Sequence, residues 1–211
     1  LHRLEAGTMV DNVPSQRVAG KIGNAVRLCG SSEYVSLPAG IVSGLSDFTV
    51  SAWVNSAAVP TWSRVFDFGT GTGVYMFLTV NAGGGPRFAI TTAGSGGEQQ
   101  LNSTGQLPLN TWTHLAVTLA GTTGTLYVNG TPVATNANMT LHPSSLGNTS
   151  QNWIGRSQFS DPFLNATVDD FQIYGHALSA AEVGALAGGQ AGAGDVASYR
   201  FDEDAGVAVA G

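Results

Sequence analysis

Few residues in this chain are equipped for chemistry: fourteen acids stand against eight Lys and Arg, with four His and one Cys. Glycosidic hydrolysis needs two carboxyls roughly 5 Å apart for retention, or about 6.5–9.5 Å for inversion. Adjacent acids occur only at Asp169-Asp170 and Asp202-Glu203-Asp204, and neighbours along a strand face opposite sides, so a hydrolytic pair on this chain is not expected. His114 has no Ser or Cys elbow beside it and reads as a hydrogen-bonded structural histidine. Gly69-Thr70-Gly71-Thr72-Gly73 and Gly83-Gly84-Gly85 lack the strand-to-helix setting and the lysine of a phosphate loop and read as hairpin turns. Asp169 leaves two readings open. It is a hard-oxygen ligand for calcium, which takes six to eight such oxygens, or it caps a turn through its own backbone.

Binding chemistry is better represented. Sugar recognition asks for aromatic rings to cover apolar sugar faces and planar polar groups to meet the hydroxyls. Such residues gather in three segments: Trp62, Arg64 and Asp67; Tyr75 with Glu98, Gln99 and Gln100; and Trp153, Arg156, Gln158, Phe159 and Asp161. The plainer alternatives are that both tryptophans belong to a core, that each Arg pairs with the nearby Asp, and that Gln99 is a solvated loop residue.

The elements that must position these residues are strands. From residue 22 to 174, runs of four to eight residues alternate apolar and polar between Gly, Asn, Pro and Ser. Phe48, Val50, Ala52 and Val54 fall on one face of their run and Trp53 on the other. Leu115, Val117 and Leu119 point inward and His114 outward. Asn129-Gly130 supplies the two positive φ angles of a tight hairpin turn. Further strands are expected at 64–69, 75–80, 87–92, 152–155 and 168–174. Cys29, in the alternating run Ala25 to Gly30, is expected as a small buried hydrophobe. Ser179 with Glu182 forms a capping box, so one short helix is expected after the last of these strands. The fold class that follows is all-β: an antiparallel sandwich or jelly roll with one short helix near its C-terminal end.

Composition bounds the rest. Twenty-nine Gly and only 10% charged residues suit many short strands joined by turns. A net charge of −6 argues against nucleic acid and anionic membrane, which both need clustered positive charge. No apolar run is long enough to span a membrane. Residues 1–187 form one sandwich domain, 188–195 a Gly/Ala linker, and 196–211 a further strand. That strand completes the sandwich in cis or by exchange, or it opens a tandem module, since one strand is not stable alone.

Taken in order, Gly20-Lys21-Ile22-Gly23-Asn24-Ala25-Val26, Asp47-Phe48-Thr49-Val50-Ser51-Ala52-Trp53-Val54, Asn110-Thr111-Trp112-Thr113-His114-Leu115-Ala116-Val117-Thr118, Thr125-Leu126-Tyr127-Val128-Asn129-Gly130 and Val168-Asp169-Asp170-Phe171-Gln172-Ile173-Tyr174 resemble the laminin-G-like, concanavalin A-like jelly-roll modules attached to secreted bacterial glycoside hydrolases. The resemblance spans roughly residues 18–187. It implies a secreted, non-catalytic carbohydrate-binding module with a glycan ligand and an attached catalytic domain, arabinose-containing plant glycans being the family-level guess. A structural or protein-interaction spacer is the alternative, and a hydrolase fragment a third. The alternating Glu and Asp strand of the glucanases that share this fold does not occur. The resemblance also implies structural calcium with Asp169 as a ligand. Modules of this kind open on a strand like Tyr199-Arg200-Phe201-Asp202-Glu203, which here stands at the opposite end. Asp202 and Glu203 therefore join Asp169 as ligands only where the tail fills the first-strand position.

Overall fold

A computed structural model describes residues 16–190, 192 and 194–201. Its strands are β1 (Gln16–Ala19), β2 (Asn24–Cys29), β3 (Val35–Leu37), β4 (Phe48–Ser56), β5 (Arg64–Gly71), β6 (Val74–Thr79), β7 (Arg87–Thr91), β8 (Gln99–Asn102), β9 (Trp112–Ala120), β10 (Thr123–Val128), β11 (Thr131–Asn136), β12 (Gln151–Ile154), β13 (Asn165–Tyr174) and β14 (Asp195–Tyr199). Helix α1 (Ala180–Ala187) lies between the last two strands. One sheet has the order β1-β2-β13-β4-β9-β10-β11, with β14 also on β13, and the other has the order β3-β12-β5-β6-β7-β8. All pairings are antiparallel. The chain is the antiparallel jelly-roll sandwich with one helix that the alternation of its sequence dictates.

Between the sheets lies one apolar core. Phe48, Val50, Ala52 and Val54 of β4 and Leu115, Val117 and Leu119 of β9 meet Phe66, Phe68, Met76, Leu78, Phe88 and Ile90 of the facing sheet. Ring contacts cross the gap: Phe171 stands edge-on to Phe66 at 6.0 Å and to Phe68 at 6.3 Å, and Phe48 lies 5.9 Å from Phe88. Asn129 and Gly130 take φ of 50° and 76° in the β10–β11 turn, the angles a right-twisted hairpin needs. Ser179 caps α1 by accepting the Glu182 N–H, and the Glu182 carboxylate accepts the Ser179 N–H at 2.7 Å. Val183 and Leu186 then close over Ala116, Tyr127 and Tyr174 on the outer face of the first sheet.

Cys29 corrects the expectation of burial, because it is exposed. Leu28 takes the core-facing position at the end of β2, so the next residue must point outward.

One edge of β13 is shared between two strands. Asn165–Val168 pair with β2, and Phe171–Tyr174 pair with β14, the tail strand of the same chain. A bulge separates the two halves. Asp169 pairs with Trp53 and Gln172 with Ser51, so β13 advances one residue more than β4, and Asp170 adopts φ 43°. Asp169 builds this bulge. Its carboxylate is fully buried, accepting the Asp170 N–H at 2.7 Å on one oxygen and the Ile22 N–H at 2.9 Å on the other. Asp169→Asn replaces one acceptor by a donor facing an N–H, and is expected to lower stability by about 2 kcal/mol, roughly 4–8 °C in Tm. The loss is expected to be equal in calcium and in chelator. A loss seen only in calcium would make Asp169 a metal ligand instead.

Candidate functional site

The outer face of the second sheet carries the residues that alternate with the core. Across five strands, direct pairing aligns Trp153 on β12, Asp67 on β5, Phe77 on β6, Ala89 on β7 and Gln100 on β8. Beside this row, Tyr75 stacks on Phe77 at 5.7 Å. The loop after β12 folds back so that Phe159 meets Tyr75 edge-on at 5.5 Å. A cleft of about 370 Å³ results, lined by Trp62, Arg64, Arg87, Glu98, Gln100 and Asp161 among others.

Arg64 organises its floor. Its guanidinium lies 3.7 Å from the Phe77 ring centre, donates to the Trp62 carbonyl at 3.0 Å, and pairs with Asp67 at 3.4 Å and Asp161 at 3.0 Å. Asp67 is fully buried. Its Oδ2 also accepts the Gln158 N–H at 3.0 Å, while Oδ1 has no partner. Burial pushes its pKa up to about 7, against the opposing pull of the Arg64 charge and that N–H. Trp62 forms one wall in a left-handed conformation, φ 70°, which a bulky side chain adopts only where its surroundings hold it. Its N–H is tied to the Asn81 carbonyl, and Arg64 and Arg87 flank its ring at 5.6 and 5.0 Å. At the other end Tyr75 donates to Glu98 at 2.6 Å, and burial together with this bond raises the phenol.

Of the residues expected to bind ligand, the structure brings Trp62, Arg64, Tyr75, Glu98, Gln100, Phe159 and Asp161 together in the cleft lining, with Asp67 buried beneath Arg64. Gln158 contributes its backbone N–H, its side chain donating instead to the Gln151 carbonyl. Gln99 faces away from the cleft and ties β8 to Thr140 and Leu141. Trp153 and Arg156 form a separate group, with the guanidinium 4.3 Å from the Trp153 ring and 4.7 Å from that of Tyr34. Phe77, Arg87 and Ser95 join the cleft without a signal in their own segments. The register of β6 and β7 brings Phe77 and Arg87 there, and the turn between β7 and β8 brings Ser95.

On the opposite sheet a smaller cavity of about 70 Å³ lies beside Trp53, His114, Gln172 and Arg200. His114 is buried with Nδ1 unpartnered, and burial lowers its pKa to about 4. Among the described residues no group of three or more His, Cys, Asp or Glu converges as for a metal, and both Asp169 oxygens already accept backbone N–H groups. Asp202 and Glu203 lie outside the described residues. Calcium also takes backbone carbonyl and water oxygens, and the melting comparison of Asp169→Asn in calcium and in chelator is the test of Asp169 as a ligand.

These two buried groups oppose each other in their effect on stability. His114 is neutral when folded but binds a proton unfolded between pH 4 and its ordinary 6.5, so its contribution is lost as pH falls through that range. Asp67 holds a proton when folded that it releases unfolded above 3.8, so its contribution is lost as pH rises towards 7. The wild-type Tm is therefore expected to be nearly flat from pH 4 to 6.5. Asp67→Asn leaves a Tm that rises with pH there, and an unaltered slope in that variant would show that Asp67 is ionised throughout.

A family model described as the concanavalin A-like lectin/glucanases superfamily matches residues 29–184. No curated protein matches the chain. Among solved structures, domain 4 of AbnA, a GH43 extracellular arabinanase from Geobacillus stearothermophilus solved with arabinotriose, superposes with TM-score 0.74 at 24% identity, covering 83% of this chain and 82% of its own. The CBM40 domain of the Ruminococcus gnavus IT-sialidase, solved with α2,3-sialyllactose, gives 0.64 at 14% identity over 82% and 100%. A SAP-like pentraxin from Limulus polyphemus gives 0.56 at 14% over 77% and 81%. At these identities the likeness to solved structures is one of fold. The family match covers most of the chain, running from the end of β2 through β13 into α1, and on that ground the chain belongs to the concanavalin A-like lectin/glucanases superfamily.

Proposed function

We propose that the chain is a non-catalytic carbohydrate-binding module of a secreted polysaccharide-degrading protein, and that its cleft holds a glycan. The observation carrying this reading is Trp62, kept in a left-handed conformation between Arg64 and Arg87 at the mouth of the cleft. A residue at φ 70° costs of order 1–3 kcal/mol, and such strain is kept where a side chain has work to do beyond packing. An indole ring with guanidinium groups beside it suits a sugar, whose apolar side meets the ring and whose hydroxyls meet the polar groups. Two structures of the same fold were solved with glycans, arabinotriose and sialyllactose, which supports the reading. Arabinose-containing plant glycans are the first ligands to try.

Binding without cleavage is favoured by how the carboxyls are used. The one with a raised pKa, Asp67, is sealed beneath Arg64, whereas a general acid must come within about 3 Å of the oxygen it protonates. Asp161 is committed to Arg64 and to the Ser157 hydroxyl. Even weak binding would serve an attached catalytic domain by raising its effective concentration at the polysaccharide.

Affinity electrophoresis through arabinan, arabinoxylan, xylan and polygalacturonate tests the reading. Retardation by at least one is expected, and Trp62→Gly is expected to weaken it roughly tenfold or more. Glycine relieves the left-handed strain, so this variant's Tm is expected within about 3 °C of wild type. Retardation that survives in Trp62→Gly would remove Trp62 from the site, and no retardation in any gel would leave a structural spacer.

A further inference from the structure

One rim of the cleft is a continuous ladder of side chains along β8. Arg87 Nε donates to Asn102 Oδ1, Asn102 Nδ2 to Gln100 Oε1 at 3.2 Å, and Gln100 Nε2 to Glu98 Oε2 at 2.7 Å, while Tyr75 donates to the other Glu98 oxygen at 2.6 Å. The direction of this ladder is forced. Arginine only donates and a carboxylate only accepts, so with Arg87 at one end and Glu98 at the other each amide between them has a single consistent orientation. Each amide keeps one N–H and spare acceptor capacity. Arg87 has no ion pair and no hydrogen-bonded Nη group among the described residues, its guanidinium lying 5.0 Å from the Trp62 ring centre, and Glu98 has no cationic partner among them.

Residues 98, 100 and 102 share a face, so the ladder repeats at about 7 Å and runs about 14 Å from Glu98 to Asn102. That is about three inter-strand spacings of ~4.8 Å, longer than a single sugar ring. Along the cleft, Trp62 and Phe159 supply the aromatic walls. The ladder carries one positive and one negative end, and Asp161 adds a carboxylate already held by Arg64. A polyuronate carries a carboxylate on every ring, so along this length it would meet Glu98 and Asp161 as well as Arg87.

Resting on the carbohydrate reading above, we propose that the cleft takes an uncharged glycan chain of several linked sugars lying along β8, its hydroxyls read by the Arg87–Asn102–Gln100–Glu98 ladder. The site is a groove for a chain and not a pocket for one ring. Gln100 is its central positioning contact.

Titration calorimetry of the intact chain with mono-, di-, tri- and pentasaccharides of arabinose and of xylose, and with trigalacturonate, tests this. In at least one neutral series the trisaccharide is expected to bind at least about tenfold tighter than the monosaccharide, with little further gain at the pentasaccharide. Trigalacturonate is expected to bind at least about tenfold more weakly than that trisaccharide. Gln100→Leu is expected to weaken binding of the trisaccharide roughly tenfold. A monosaccharide that binds as tightly as its trimer, or a galacturonate trimer that binds more tightly than the neutral one, would overturn the groove while leaving carbohydrate binding intact. No heat with any sugar, together with no retardation by any polysaccharide, would take down both. The length series uses the wild-type chain, so a poorly folding Gln100→Leu leaves the decision to it.

Discussion

The strand-borne floor of the cleft is the reverse side of core residues. A pleated strand sends successive side chains to opposite faces, so placing Phe66 and Phe68 in the core obliges Asp67 to face outward. Met76 and Leu78 inward put Tyr75 and Phe77 outward, and Phe88 and Ile90 inward put Arg87 and Ala89 outward. Leu101 in the core does the same for Gln100 and Asn102. A slip of one residue in any of these strands would exchange the two sets. The apolar free energy that fixes the sandwich therefore also fixes the site's register, and binding geometry comes with no separate scaffold.

What the sheet alone does not set is the polar layer between core and cleft, and there Arg64 decides. Taking both Arg64 and Asp67 out of water is costly, and a pair so buried adds little net stability over apolar replacements. Its contribution is positional. One guanidinium holds the Trp62 carbonyl, Asp67 and Asp161 at once while lying on Phe77, which links the turn before β5 to the loop after β12. The unpartnered Asp67 Oδ1 is the residual cost of that arrangement, and it is consistent with a carboxyl that keeps its proton near neutral pH.

Patterns contained within one segment were legible in the sequence, and patterns made by pairing were not. Alternation located β4, β9 and β13, Asn129-Gly130 located a hairpin and Ser179 with Glu182 a helix start, because each is a local geometric demand. Parity along a strand also separates Gln100, which faces the cleft, from Gln99, which does not. Choosing between them requires knowing that Leu101 faces the core. Arg87 was invisible as a site residue because nothing near it in sequence resembles a site. It reaches Trp62 only through the pairing of β5, β6 and β7. Residues 153–161 looked like one cluster and are two. Trp153 and Arg156 gather with Tyr34 near the β3 edge, while Phe159 and Asp161 reach the cleft. A turning loop has no period from which its direction could be read. Cys29 was misplaced for a related reason: an alternating run shows that two faces exist, and only the packed partner shows which is inside.

The two outer faces explain why the larger cleft lies on one sheet. Both carry aromatic residues of the same types: Trp53, Tyr127 and Tyr174 on the first, Trp62, Tyr75 and Phe77 on the second. On the first sheet α1 and the turn at residues 20–22 lie over them, with Val183 and Leu186 against Tyr127 and Tyr174 and Lys21 above Trp53. Aromatic surface there is spent on closing the fold. On the second sheet no helix of eight residues is present among the described residues, and the cover is made of single side chains, Arg64 over Phe77 and Phe159 against Tyr75. Polar side chains that cover an aromatic floor keep hydrogen-bonding capacity on their outward side, whereas an apolar helix face keeps none. Similar aromatic residues thus become core on one face and the lining of an open cleft on the other, according to whether a helix or an arginine lies on top.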